Sequence, residues 1–265
     1  MAYRVVTSLF FLKRKKFFVF ENVSHKATLI QIQRIPLLGI TKTYRTVSNE
    51  AVQVLAGCPP LGIRAIMEKY TLDEAQLRKT KMEAEGLWNF DYQSRIPPWK
   101  VKRVKWQFYV YSMKGNDIFT DGSKIDEKVG VAFVYFLDGV EIENRQFRLS
   151  DGASVFTAEI MAVRVAIAYS HEKNLSEVRI ISDSRSALMA LNPLGERRQM
   201  INAIKESVNN NIELCWVRAH QGQFGKERAA ELAKEATARD TTDYKFNKSC
   251  VQLKNDVKKQ ILIKW

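Results

Sequence analysis

Three cysteines in 265 residues, Cys58, Cys215 and Cys250, are too few and too far apart for a disulfide framework. They are also odd in number and match no zinc-ligand spacing, so a reducing compartment suits them best. Long apolar runs are missing as well. Leu9-Phe10-Phe11-Leu12 is cut short by Lys13-Arg14-Lys15-Lys16. That leaves no signal-peptide h-region and nothing near the ~20 residues a membrane helix needs. The basic tetrad reads as a solvated charge run or a nuclear-localisation patch, and the cellular address beyond a reducing interior stays open. No fixed-period repeat or low-complexity tract is present. What is there is globular: 46% hydrophobic residues over this length supply a real core, with room for one large or two ordinary domains.

Negative charge is scarce in the front of the chain. Residues 1–110 hold 19 Lys and Arg against 8 Asp and Glu, whereas 111–265 hold 23 against 21. Almost all of the net charge of +13 therefore belongs to the front. Such a surplus points to an anionic partner, nucleic acid first and acidic membrane second, through phosphate contacts that release counterions, with solubility alone as the competing explanation.

The front reads as helical. Helical spacing runs through Ala27 to Arg34 and again through Ser48 to Ala56, where Ser48 suits an N-cap and Gly57 a stop. Cys58-Pro59-Pro60-Leu61-Gly62 breaks the pattern, and a third helix is expected over Ile63–Ala84. Pro97, Pro98, Trp99 and the basic run Lys100 to Lys105 read as linker, with a boundary between 106 and 115. From 116 the period changes to that of strands. Asn116 to Ser123 is strand-like and ends in an acid and a glycine. Val129–Phe136 is apolar on both parities, as a strand covered on both faces should be. Asp138-Gly139 makes a hairpin turn. In Val140–Leu149 the apolar parity changes, which calls for a bulge or a change of register. Ser154 should cap a helix over Val155–Glu172. A strand Val178–Ser182, a helix Arg185–Leu191, a helix to about Asn209, a strand Ile212–Val217 and a helix Lys226–Ala238 follow. The expected fold class is α/β: a mixed five-stranded sheet, three antiparallel strands then two parallel, flanked by helices and preceded by a mainly helical segment. The expected divisions are 1–110, 113–240 and a tail, 241–265.

Three acids in this frame stand at the ends or edges of elements. Asp121 closes the first strand-like approach, where a plain hairpin turn is the competing explanation. Glu159 sits in a helix among small and apolar neighbours, where a solvent-facing position competes. Asp183 follows a buried strand, where helix capping competes. Together they describe a cluster able to hold hard divalent cations. His220 lies in a glycine-bearing loop between a strand and a helix, a setting in which mobile catalytic groups are found.

The ordered set Phe119-Thr120-Asp121-Gly122-Ser123, Ala158-Glu159, Ser182-Asp183-Ser184, Trp216-Val217 with His220, and Gly225-Lys226-Glu227-Arg228-Ala229 resembles the type-1 ribonuclease H family. More narrowly it resembles the domain at the C-terminal end of a non-LTR retrotransposon polyprotein. Gln31-Ile32-Gln33-Arg34 and Tyr44 to Ser48 through Val54 to Leu61 are similar to the segment that links a reverse transcriptase thumb to that domain. The resemblance covers about residues 25–240. No polymerase palm motif accompanies it, which implies a C-terminal piece unable to copy a template. It implies endonucleolytic cleavage of the RNA strand of RNA–DNA hybrids with two Mg²⁺ ions, Mn²⁺ being an alternative, and no membrane partner. By position, Asp121 would bridge the two ions, Glu159 and Asp183 would complete the site on the leaving-group side, and His220 would assist proton movement or product departure. Ser123, Ser154, Thr157 and Gln221 become candidates for contacts to the hybrid.

One departure stands out. The family places a fourth aspartate ten residues beyond the loop histidine, and here that position is Ala230. Its loss weakens the side of the site that would activate water, and leaves a nucleic-acid binder without turnover as the alternative function. Glu227, one turn earlier, is the substitute that helix geometry allows, whereas Glu231 is rotated about 100° away.

Overall fold

In the computed structural model, residues 23–85, 93, 97–100, 102–112, 114–219 and 222–264 are described. The apolar and basic stretches at 9–16 lie outside them, as do His220 and Gln221. The chain divides into two compact units, Met1–Leu77 with Cys250–Trp265, and Arg78–Ser249.

The first unit contains α1 (Val23–Thr41), α2 (Asn49–Leu55), the start of α3 (Leu61–Glu85) and a helix over Cys250–Lys264. Ser48 caps α2 by accepting a hydrogen bond from Ala51 N, as its sequence position predicts. Gly57 follows with a φ of 59°, the left-handed conformation that ends a helix most cheaply on glycine. A small apolar cluster of Leu37, Val52 and Cys58 holds α1 and α2 together. The buried Gln33 adds a polar tie: its amide donates to Pro59 O at 2.9 Å, and its carbonyl accepts from Leu61 N at 3.0 Å. No helix among the described residues is long and apolar enough to cross a membrane.

The second unit is built on one mixed sheet. Its strands are β1 (Trp106–Phe108), β2 (Asn116–Ile125), β3 (Lys128–Leu137), β4 (Val140–Leu149), β5 (Val178–Ser182) and β6 (Ile212–Trp216), in the spatial order β1-β6-β5-β2-β3-β4. β2, β3 and β4 are antiparallel; β2, β5, β6 and β1 are parallel. Two tight turns join the antiparallel strands. Asp126-Glu127 and Asp138-Gly139 both have positive φ at the two central residues, which matches the right-handed twist of the strands they connect. The irregularity expected in β4 is present: Tyr135 pairs with Glu143 and Phe136 with Glu141, so Ile142 is the extra residue.

The sheet has six strands where the sequence predicts five. The additional one, β1, falls at the start of the stretch expected to hold the domain boundary, just past the linker. It is only three residues long, and its Phe108 is exposed, so it carries no strand periodicity to read. Parallel pairing to β6 makes it a strand, with Tyr109 N donating to Trp216 O at 2.8 Å just beyond.

Two apolar layers cover the sheet. On one face Ile118, Val131, Phe133 and Ile180 pack with α4 (Val155–Glu172), α5 (Arg185–Leu191) and α6 (Gln199–Ser207) through Ala158, Ala162, Leu188 and Ile201. On the other, Phe119, Ala132, Val134, Phe136 and Ile181 pack with Ala229, Leu232 and Ala233 of α7 (Phe224–Thr237). The unbroken apolar run of β3 is thereby explained, since both of its faces are buried.

Helix α7 lies on the sheet at Gly130. A Cβ there would stand 2.1 Å from Ala233 O and 2.8 Å from Thr237 N, both backbone atoms with no room to yield. Gly130→Val should therefore cost about 3 kcal/mol, the upper end of overpacking effects, seen as a lower urea midpoint. Gly195→Ala, where nothing lies within 4 Å, should stay within about 0.5 kcal/mol of the unaltered chain.

Candidate active site

The parallel pairing of β2 with β5 ends at Phe119–Ile181, whereas β2 continues to Ile125. Beyond Phe119 that flank of β2 is open, and this is the carboxyl end of β5, where open sheets take ligands. Thr120 Oγ1 closes the last step by donating to Ile181 O at 3.0 Å. Asp121 comes next, within the strand and paired with Ala132 on β3, so it is not part of a turn. Asp183 follows β5 directly. It does not cap the next helix; Ser184 does, accepting from Ala187 N. The indole of Trp216 donates to Asp183 O at 3.0 Å and fixes that backbone.

Glu159 arrives from α4, which Ser154 caps by accepting from Thr157 N at 3.0 Å. The helix comes close because Gly122 has no side chain: a Cβ on it would lie 2.7 Å from the backbone at Ala158 and Glu159. The Gly122 N–H donates to the Glu159 carboxylate. Glu159 is buried at 8% exposure, which rules out the solvent-facing position. One carboxylate oxygen from each of Asp121, Glu159 and Asp183 lies within 4.8 Å of the other two.

Burial pushes the Glu159 carboxyl up to about 8; Lys226 opposes the rise, and Asp121 and Asp183 add to it. Its Oε2 is buried with no hydrogen-bond partner among the described residues. Burial also raises Asp121, against the pull of Lys226.

Lys226 is the residue that the sequence reading passed over. From the first turn of α7 its ammonium donates to Thr120 O at 2.8 Å, contacts Asp121 Oδ1 and lies 2.9 Å from Asp183 Oδ1. It is buried at 5% exposure. Burial alone would lower its pKa; attraction to Asp121, Asp183 and Glu159 reverses that and holds it above the usual lysine value. A cation in the first turn of a helix opposes the helix dipole by only about 0.3–1 kcal/mol, which an exposed lysine bears, so no local signal marks Lys226.

Ala230 lies one turn after Lys226 on α7, half-buried. Glu227 is exposed and stands outside the carboxylate cluster, so it does not take the place of the fourth acid. Glu231 pairs with Arg228 at 2.6 Å. The hydroxyls of Ser154 and Thr157 bond each other at 2.8 Å, and Ser123 is half-buried on β2.

Residues 113–238 match the family model for RNase H. They form an RNase H family domain. The match spans a little under half of the chain and includes Asp121, Glu159, Asp183 and Lys226. A search of curated proteins found no match to the chain. RNase H domains are hydrolases acting on RNA–DNA hybrids with divalent metal ions, and the acidic cluster lies inside this one.

The shift at Glu159 sets a pH dependence for the metal-free protein. Below about pH 4.5 the carboxyl is protonated folded and unfolded alike. Above it the unfolded chain ionises first, so stability falls as pH rises toward 8, by a few kcal/mol in order of magnitude. Urea unfolding at pH 5.5 and 8.5 should show this loss in the unaltered chain and much less of it in Glu159→Gln. Equal pH dependence in the two would mean that Glu159 ionises normally in the folded state.

Proposed function

We propose that the RNase H domain cleaves the RNA strand of RNA–DNA hybrids by metal-assisted hydrolysis, at a rate reduced by Ala230. The observation that carries this reading is the convergence of Asp121, Glu159 and Asp183 from β2, α4 and the end of β5 at one open rim. The donor set is all carboxylate oxygen, which suits Mg²⁺ or Mn²⁺. The unpartnered, buried Oε2 of Glu159 adds a lone pair with no ligand inside the described protein. Asp121, Glu159 and Asp183 are therefore the residues that would hold an ion. When bound, such an ion makes a water nucleophilic near neutral pH and offsets charge on the phosphate oxygens. The Gly122 N–H orients the Glu159 carboxylate, and the Trp216 indole holds the Asp183 backbone. His220 is assigned proton movement at the leaving group by its motif position alone. The same motif order supports a retrotransposon polyprotein origin, with the basic front segment as an electrostatic partner for nucleic acid.

A second reading, hybrid binding without turnover, is favoured by Ala230 and by the ammonium of Lys226 already seated among the acids. A labelled hybrid, incubated with the full chain in Mg²⁺ and in Mn²⁺, separates the two. Slow cleavage is expected, raised roughly 10–100-fold by Ala230→Asp, the range typical of a group that supports a metal site. Asp121→Asn should abolish it. Binding with no cleavage by the unaltered chain or by Ala230→Asp would leave the binder reading standing.

A further inference from the structure

The RNase H reading leaves Lys226 without a role, and its position is unusual for a lysine. Its ammonium is buried, touches two of the three clustered carboxylates and is anchored by the carbonyl of Thr120. These are the oxygens a divalent ion would use. Resting on that reading, we propose that the Lys226 ammonium is a resident cation that takes the place of one divalent ion, so that the site binds a single divalent ion instead of two.

Charge supports the count. Once an incoming ion displaces the Glu159 proton, three ionised carboxylates and one ammonium leave two negative charges, which one divalent ion neutralises and two would overfill. Geometry supports it independently. The ammonium engages Asp121 Oδ1, one of the two oxygens that a carboxylate shared between two ions would have to offer. Glu159 accepts from Gly122 N–H, and its Oε2 is not taken by Lys226 or any other described donor. The open coordination therefore lies on the Glu159 side and the closed side is that of Lys226. Helix α7 carries the arrangement. Lys226 and Ala230 lie one turn apart on one face, so the helix that would carry a fourth acid toward the site carries a cation there in its stead. Gly225 seats the start of that helix, because a Cβ on it would stand 2.4 Å from the Phe119 ring.

The test counts Mn²⁺ ions bound to the full, metal-stripped chain by calorimetry and by the electron paramagnetic resonance of free Mn²⁺. Asp121→Asn is the reference, and only ions lost in that variant are counted. One such ion is expected for the unaltered chain. Lys226→Met should bind Mn²⁺ at least tenfold more tightly, and its Tm should rise with Mn²⁺ by more than that of the unaltered chain. Lys226→Met combined with Ala230→Asp should bind two ions. None or two in the unaltered chain overturns the proposal, as does unchanged affinity in Lys226→Met. The first count needs no lysine variant, and Lys226→Gln, prepared in Mn²⁺, replaces the methionine variant where that one does not fold. Hybrid binding and cleavage by the unaltered chain decide the RNase H reading, and the ion count decides the role of Lys226. Either can fail while the other stands.

Discussion

Three carboxylates brought within 4.8 Å of each other in a mostly buried setting repel strongly, and folding must supply something positive between them. In this chain that something is part of the chain. The Lys226 ammonium bridges Asp121 and Asp183 and leaves Glu159, the most deeply buried of the three acids, to meet the remaining cost by holding its proton up to about pH 8. Removing either partner of such a buried pair exposes the other to an uncompensated desolvation penalty of several kcal/mol. The acids, the lysine and the helix that carries it are thus one electrostatic unit.

That unit is positioned by close backbone approaches. β2 runs past the end of β5, so Asp121 projects at an open rim instead of vanishing into the sheet. Gly122 admits α4 and with it Glu159; Gly130 and Gly225 admit α7 and with it Lys226. Alternation along β2 puts Asp121 on the side of α7 and Gly122 on the side of α4, so two adjacent residues serve opposite faces. A register slip of one residue would exchange those roles, and the paired positions Asp121–Ala132 and Gly122–Val131, buried in separate apolar layers, prevent it.

Much of this is legible in the sequence, and the illegible parts share a cause. Strand β5 and helices α4 and α5 have the bounds that their periodicity indicates; Ser154 marks the start of α4 locally, whereas the cap of α5 is Ser184 and not Asp183, the residue the sequence offers. The bulge in β4 is visible as a change of parity. Strand β1 is not, since its three residues show no alternation and its partner β6, with the Phe108–Trp216 ring contact, lies more than a hundred residues away in sequence. The acids were found as a set and ambiguous singly; burial of Glu159 depends on Gly122, thirty-seven positions earlier, and no local pattern records that approach. Lys226 was missed for the same reason. As a residue of an amphipathic helix it reads as surface, and only the arrival of Asp121 and Asp183 from other elements makes it a buried cation.

Neutralising the acids and activating a water are separate demands on one site. A divalent ion meets both, because it is a Lewis acid as well as a charge. An ammonium meets the first alone: it offers hydrogen bonds and one positive charge, and it has no empty orbital with which to acidify water. Lys226 and Ala230 stand one turn apart on α7, so the face of that helix nearest Asp121 brings a positive charge to the acids and no further carboxylate oxygen for an ion.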